Sequence, residues 1–103
     1  TGAVTASGSG TQAAGPSLTL TSVTDGMGVV AITLARDSTA TAVAWNGDFS
    51  SDYDDWQATA GNSRFSVASF TASADGNVTV APTYTGGDAA YTWVVAAVAV
   101  PVA

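Results

Sequence analysis

The long apolar stretch near the end of the chain, residues 90–100, sets the first constraint on the fold. It runs Ala-Tyr-Thr-Trp-Val-Val-Ala-Ala-Val-Ala-Val and is followed by Pro101. The preceding Gly86-Gly87 pair, the aromatic and β-branched residues and the proline exit favour a strand over a buried helix. Because no polar residue follows Thr92 within the stretch, both faces of this strand are expected to be covered. We therefore predict that it is the central strand of a β-sandwich.

Shorter apolar segments separated by turn signals precede this stretch. The turn signals are Asp25-Gly26, Asn46-Gly47 and Asp75-Gly76, of which the first joins two strands and the last marks a hairpin. Strands are predicted over residues 18–21, 27–35, 41–45, 64–71 and 77–81, with those near 29–34 and 65–70 flanking the last strand.

This pattern contains no amphipathic helical period longer than one turn, and it predicts an all-β fold. We expect an antiparallel β-sandwich of six to eight strands, either jelly-roll-like or Ig-like. The two-sided apolar strands favour the jelly-roll-like form.

The first part of the chain differs in composition from the rest. Residues 1–15 are almost entirely Thr, Gly, Ala, Ser and Gln, with Val4 as the one larger apolar side chain. Such a segment buries little surface, so we predict an N-terminal arm that is flexible or that orders on a partner. Residues 16–103 are predicted to form a single β-sandwich domain.

Charge and residue types exclude several classes of function. The 103 residues include eight acidic residues, all Asp, against Arg36 and Arg64, giving a formal net charge of −6. Two separated arginines cannot supply the contacts that nucleic acid or anionic membrane requires. Without His, Cys, Lys or Glu, the chain also lacks the groups that activate a Ser or Thr nucleophile. We therefore predict a protein that is not an enzyme and binds neither nucleic acid nor membrane.

Acidic residues concentrate in residues 46–63, which we predict to be a long irregular loop. Asp48, Asp52 and Asp54 lie close together in sequence, and oxygen-rich clusters of this kind bind calcium. The segment lacks the twelve-residue EF-hand pattern, and the alternative is a solvated acidic loop. A structural calcium is thus the one metal or cofactor that the sequence suggests.

Aromatic residues share the same segment. Trp56 and Tyr53 beside Asp55 suit a sugar site, because rings stack on a pyranose while a carboxylate accepts hydrogen bonds from its hydroxyls. The alternative is that Trp45 and Trp56 close the open end of the sandwich as part of its core.

A series of segments carries a resemblance to a known class of domains. After a lead-in rich in Ser, Thr and Ala, they are Leu18-Thr19-Leu20-Thr21, the Val-Val-Ala-Ile-Thr-Leu strand of residues 29–34, the Val-Ala-Trp turn of residues 43–45, Asn62-Ser63-Arg64-Phe65, Asn77-Val78-Thr79-Val80 and Tyr91-Thr92-Trp93-Val94-Val95. Their order over residues 16–100 resembles the β-sandwich accessory domains, capsid decoration or tail-associated, of tailed-bacteriophage virion proteins.

The resemblance implies a non-enzymatic virion protein that binds in many copies to a capsid or tail surface, with capsid or tail proteins and copies of itself as partners. A first alternative is an extracellular or cell-surface carbohydrate-binding or adhesin module that uses residues 46–63. A second is a subunit of an extracellular filament, with residues 1–15 as a donated strand.

Overall fold

The computed structural model describes residues 2–11, 15–36, 42–57, 63–85 and 92–101, and these residues form strands and turns without a helix. The all-β prediction is therefore confirmed, with nine strands in the described residues against the six to eight expected. The strands are β1 (Val4–Thr11), β2 (Leu18–Val23), β3 (Gly28–Arg36), β4 (Ala42–Ala44), β5 (Ser50–Gln57), β6 (Ser63–Thr71), β7 (Gly76–Val80), β8 (Thr83–Thr85) and β9 (Thr92–Val100). No helix in this part of the chain is long and apolar enough to cross a membrane.

Five strands form one antiparallel sheet in the order β1-β9-β3-β6-β5. Two short antiparallel pairs, β2-β7 and β4-β8, lie over one face of this sheet and complete a sandwich. The core between the layers consists mainly of small and medium apolar side chains. Its fully buried members include Leu20, Val23, Met27, Val29, Val80 and Val95.

Strand β9 is the apolar stretch that the sequence singles out, and its position corrects two expectations. It lies between β1 and β3, so β3 is the central strand and β6 is not a neighbour of β9. Only one of its faces is buried, since Val94 on the other face remains 43% exposed. The reason is that the two short strand pairs cover one side of the large sheet only.

Residues 4–11, predicted to belong to an arm outside the domain, form the edge strand β1 in the structure. They pair with β9 along its whole length, from Val4 opposite Ala99 to Thr11 opposite Thr92. The hydrogen bonds between β1 and β9 are made by backbone groups and do not depend on residue type. The small side chains of β1 also let its backbone approach β9 closely, since Gly10 lies against the buried ring of Trp93. A low-complexity composition therefore does not prevent this segment from adding to a sheet edge.

The predicted irregular loop at residues 46–63 is also different in the structure. Ser50–Gln57 form β5, the opposite edge of the sheet, paired with β6. The register shifts between Ser51 and Tyr53, which leaves Asp52 as the extra residue of a β-bulge. Acidic composition is typical of an edge strand that must stay soluble, which explains why a strand could look like a loop.

Two of the predicted turns connect the sheets to one another. Asp25-Gly26 leads from β2 to β3, and Asp75-Gly76 leads from β6 to β7, so the second is not the hairpin that the sequence suggests. Gly26 has φ +88°, which suits glycine. The Asp25 N–H donates to Asp75 Oδ1 at 2.9 Å, so the two crossovers support each other.

Candidate interaction surface

The outer face of the five-stranded sheet, facing away from the two short strand pairs, carries the exposed large apolar side chains of the described residues. They are Val30, Ile32, Leu34, Tyr53, Val94 and Val100, each between 37% and 43% exposed. We call this surface the outer face. An antiparallel sheet with one solvated face normally alternates apolar and polar residues, so an apolar outer face indicates contact with another molecule.

Side-chain size strengthens this conclusion. In β3 the buried positions include Ala31 and Ala35, whereas the outer positions are Val30, Ile32 and Leu34. The two largest apolar side chains of this strand, Ile32 and Leu34, therefore point away from the core, whereas Val29 is buried in it. Outward-facing apolar side chains are unfavourable in water, so this arrangement is expected where another molecule covers the outer face.

The opposite side of the sandwich provides the contrast. The exposed side chains of β2 and β7 are polar, among them Thr19, Thr21, Asn77 and Thr79. This polar side follows the expected alternation for a strand pair in water. Among the residues that the structure describes, the outer face is the broad side with the chemistry of an interface.

The strand register arranges the outer face in rows. One row contains Ser9, Val94, Leu34, Phe65 and Asp55, and the next contains Ser7, Ala96, Ile32, Val67 and Tyr53. A third contains Thr5, Val98, Val30 and Ser69, with the Asp52 carboxylate accepting a 2.6 Å hydrogen bond from Ser69 Oγ. Hydroxyl groups thus follow the β1 edge and carboxylates follow the β5 edge, with apolar side chains between them.

The outer face is not flat, because small side chains lie on one side of β3 and large ones on the other. On the β1 side of β3, a groove of about 510 Å³ runs over Ser7 and Ala96, where the side chains are small. On the β5 side, the rings of Tyr53 and Phe65 lie 5.8 Å apart between centroids and form an edge of large side chains. The Tyr53 hydroxyl donates to Asp55 Oδ2 at 3.3 Å, which holds that ring beside the carboxylate. The groove and the aromatic edge lie on opposite sides of Ile32.

A partly buried ion pair anchors the acidic edge strand. Arg64 Nε donates to Asp54 Oδ1 at 2.7 Å, and the Val43 N–H donates to Asp54 Oδ2 at 3.1 Å. Burial raises the pKa of Asp54, but the hydrogen bonds from Arg64 and Val43 and the charge of Arg64 outweigh it and lower that pKa overall. The hydrogen bond to Asp54 in turn raises the pKa of Arg64. Asp54 therefore ties β5 to β6 and β4.

A second polar connection fixes the strands beneath the outer face. Trp45 Nε1 donates to Ser66 Oγ at 2.8 Å, and Ser66 Oγ donates to the Tyr53 carbonyl at 2.8 Å. The buried Ser66 hydroxyl thus uses both its acceptor and its donor capacity. Trp45 packs against the core and against Phe49, in agreement with the interpretation that it closes the sandwich.

The carboxylates proposed for calcium have separate surroundings. Asp54 binds Arg64, Asp52 accepts from Ser69, and Asp48 lies in the turn before β5. Within the described ranges no group of three or more acidic side chains is placed to hold a metal ion. The calcium site stays a prediction from sequence, without support from this geometry.

The structure places two of the three residues proposed for sugar binding next to each other. Tyr53 and Asp55 are neighbours on the outer face, joined by their hydrogen bond. The backbone of Trp56 pairs with Arg64, but its side chain lies outside the part of the chain that is described. The sugar site also stays a prediction.

Comparison with known proteins informs the fold. No protein-family model matches the sequence, and no curated protein sequence matches it either. A solved structure shares its architecture: the tripod (BppUct-A-L) from the baseplate of bacteriophage Tuc2009. That match has a TM-score of 0.56 at 11% identity and covers 96% of this chain and 64% of the other.

The chain therefore spans a little under two thirds of the baseplate chain. At this identity the likeness concerns the fold, and at that level it confirms the resemblance to β-sandwich domains of tailed-phage virion proteins.

Sequence reasoning did not identify the outer face as the candidate site, although its signal was present. Two-sided apolar strands predict two covered faces, and among the described residues only one of these faces is covered. The rows of hydroxyls and carboxylates are not visible in the sequence, because the composition predicts an arm at β1 and a loop at β5. Their placement at opposite edges depends on the strand order.

Proposed function

We propose that this chain is a non-enzymatic structural module of a phage virion, associated with the tail, and that it binds other subunits through the outer face. The observation that carries the proposal is the apolar outer face, with Ile32 at its centre and 41% exposed. The likeness to a baseplate structure supports a tail location over a capsid location. Binding in many copies follows from the symmetry of phage tails and shells and belongs to the proposal.

The physical argument rests on the unpaired surface. Large apolar side chains in water raise the free energy of the free subunit, and assembly removes them from water at about 25 cal/mol per Å². Few charges interrupt the outer face, so its desolvation costs little. The described acidic residues outside it lie mostly at turns, such as Asp25 and Asp48, where they keep the free subunit soluble.

The test is the composition of purified phage particles produced from the genome that encodes the chain. Quantitative mass spectrometry is expected to find the chain in particles in multiple copies. Its amount should fall when Ile32 is replaced by Lys, and should not change when Thr19, which is exposed on the polar side, is replaced by Lys. Absence of the chain from particles, or equal incorporation of both variants, would contradict the proposal.

One observation favours carbohydrate binding as a second candidate. Tyr53 is 42% exposed and its hydroxyl is held by Asp55, so a ring and a carboxylate are presented together. Glycan-array binding that is lost in Tyr53→Ala and retained in Ile32→Lys would support this candidate. Absence of glycan binding at array densities would remove it.

The filament alternative requires residues 1–15 to pair with another subunit. In the structure Val4–Thr11 instead occupy the β9 edge of their own chain. No observation therefore favours strand donation, and it is not pursued as a function.

A further inference from the structure

We infer that the occupant of the outer face is a second copy of this chain, bound face to face about a two-fold axis that runs along β3. This inference rests on the proposed function and specifies its first assembly step. Three features support it: the two edges of the outer face are chemically complementary, its relief is complementary, and its area suits a dimer.

The chemical complementarity follows from the rows. A two-fold axis parallel to the strands and above β3 places the β1 edge of one copy over the β5 edge of the other, at the same height. Ser9 then faces Asp55 of the second copy, because both belong to the row of Leu34. In the same way Thr5 approaches Asp52, so hydroxyl donors meet carboxylate acceptors at both edges.

The alternative two-fold axis, perpendicular to the strands, gives a poorer match. It would place β5 over β5 and bring Asp52 of one copy towards Asp55 of the other. Like charges facing each other in a partly desolvated interface are destabilising. The charge pattern therefore selects the axis along β3.

The relief agrees with that axis. The same rotation sets the β9 side of one copy over the β6 side of the other, so Ser7 faces the ring of Tyr53 and Ala96 faces Val67 across the groove. Small side chains thus receive large ones, as interdigitating sheet faces require. Each contact occurs twice, because the two-fold axis relates the two copies.

The area is also adequate. Five strands about 4.8 Å apart, with eight residue steps of about 3.4 Å each, present roughly 650 Å² in projection. Corrugation by side chains increases the accessible area, which approaches the ~800 Å² per partner of a standard interface. Arg36, at the end of β3, lies at the rim of this area. The same axis brings the Arg36 side chains of both copies to one end of the interface, where long side chains of this kind reach solvent.

The first experiment measures self-association of the complete chain by sedimentation velocity from low micromolar to submillimolar concentration. We expect a monomer–dimer equilibrium that Ile32→Lys weakens by about tenfold or more. Ala96→Tyr should weaken it similarly, because it fills the groove while the face stays apolar. Thr19→Lys is the matched control and should leave the equilibrium unchanged, with circular dichroism showing that all variants fold.

The second experiment tests the axis. Ser9→Lys should tighten the dimer and Ser9→Asp should weaken it, whereas Ser9→Asp combined with Asp55→Lys should restore it. A chain that stays monomeric at every concentration, a trimer or larger species, or a dimer insensitive to Ile32→Lys would overturn the two-fold inference. A dimer that responds to Ile32→Lys but not to the Ser9 variants would overturn the axis.

These failures are distinct from failure of the proposed function. A monomer that still enters particles through another virion protein would leave that function standing and remove only the second copy as the occupant. A dimer that is absent from particles would leave the second copy as the occupant of the outer face and would remove the proposed function.

Discussion

Gly10 of β1 lies directly opposite Trp93 of β9, and a Cβ at Gly10 would stand 2.7 Å from the indole Cζ2 of that tryptophan. The buried ring occupies the space that a side chain at Gly10 would need, so the glycine and the tryptophan determine one another. This relationship explains how a segment of small residues becomes part of the sheet. The close approach of β1 to β9 in turn places the hydroxyl column of the outer face.

Replacing Gly10 by Ala is therefore expected to destabilise the fold by about 1–3 kcal/mol, because the methyl group overpacks against a ring that cannot move aside. Urea unfolding followed by tryptophan fluorescence measures the change. Gly8→Ala is the control, since its nearest neighbour would be the Ser17 carbonyl at 3.9 Å, and it should be neutral. If Trp93→Phe is introduced first, Gly10→Ala should cost less than in the native sequence. Equal costs in both backgrounds would contradict the proposed clash.

Ser66→Ala is expected to lower the free energy of unfolding by about 1–3 kcal/mol. The substitution removes the acceptor of the Trp45 Nε1–H and one donor to the Tyr53 carbonyl in a partly buried position. Ser69→Ala provides the comparison, because that hydroxyl bonds Asp52 at the exposed surface and should change stability by less than about 0.5 kcal/mol. Similar values for the two variants would show that the Ser66 connection does not stabilise the strands.

Stability should fall on acidification because of Asp54. Its pKa is lower in the folded chain than in the unfolded chain, so its ion pair with Arg64 contributes fully above the unfolded value of about 4. The contribution is lost as pH decreases through the lower folded pKa, when the carboxylate is protonated. Thermal unfolding between neutral pH and the acid limit should show this decline, and Asp54→Asn should be less stable at neutral pH and flatter below pH ~4. An unchanged slope in Asp54→Asn would mean that other carboxylates cause the decline.

Asn46 connects the turn before β5 to the end of β7. Its Nδ2 donates to the Thr79 carbonyl at 2.8 Å, and its Oδ1 accepts from the Ala81 N–H at 2.7 Å. Asn46→Ala removes both bonds and should cost about 1–2 kcal/mol in chemical denaturation. Asn77→Ala, at an exposed position of β7, should have little effect. A comparable loss in the two variants would indicate that the cost comes from surface composition.

The sequence predicts the interior of this fold well and its edges poorly. Strands β3 and β9 are visible because apolar runs between turn signals leave few alternatives, and Trp93 proves buried as expected. Strands β1 and β5 carry no such signal, since Gly, Ser and Asp side chains add to a sheet through backbone bonds that do not depend on residue type. Edge strands are therefore the part of a sandwich that is hardest to predict from composition.

The candidate surface is likewise only partly predictable from the sequence. That β9 should be covered on both faces follows from its residues, but which face the described strands leave open depends on where the short strand pairs lie. The pairing of Tyr53 with Asp55 agrees with their proposed association in sequence. The separation of Asp54 from Asp52 does not follow from spacing, because the bulge at Asp52 and the Arg64 side chain decide it.

The most direct measurement of the central claim is the reactivity of single cysteines in the assembled state, since the chain has no cysteine of its own. Ile32→Cys reports on the outer face, and Thr19→Cys reports on the polar side. In unassembled monomer both thiols should react with a maleimide at similar rates, because both positions are exposed. In purified particles Ile32→Cys should react at least about tenfold more slowly than Thr19→Cys, because a covered thiol reacts only when its cover opens. Equal rates in particles would show that the outer face stays in contact with water and would contradict the account.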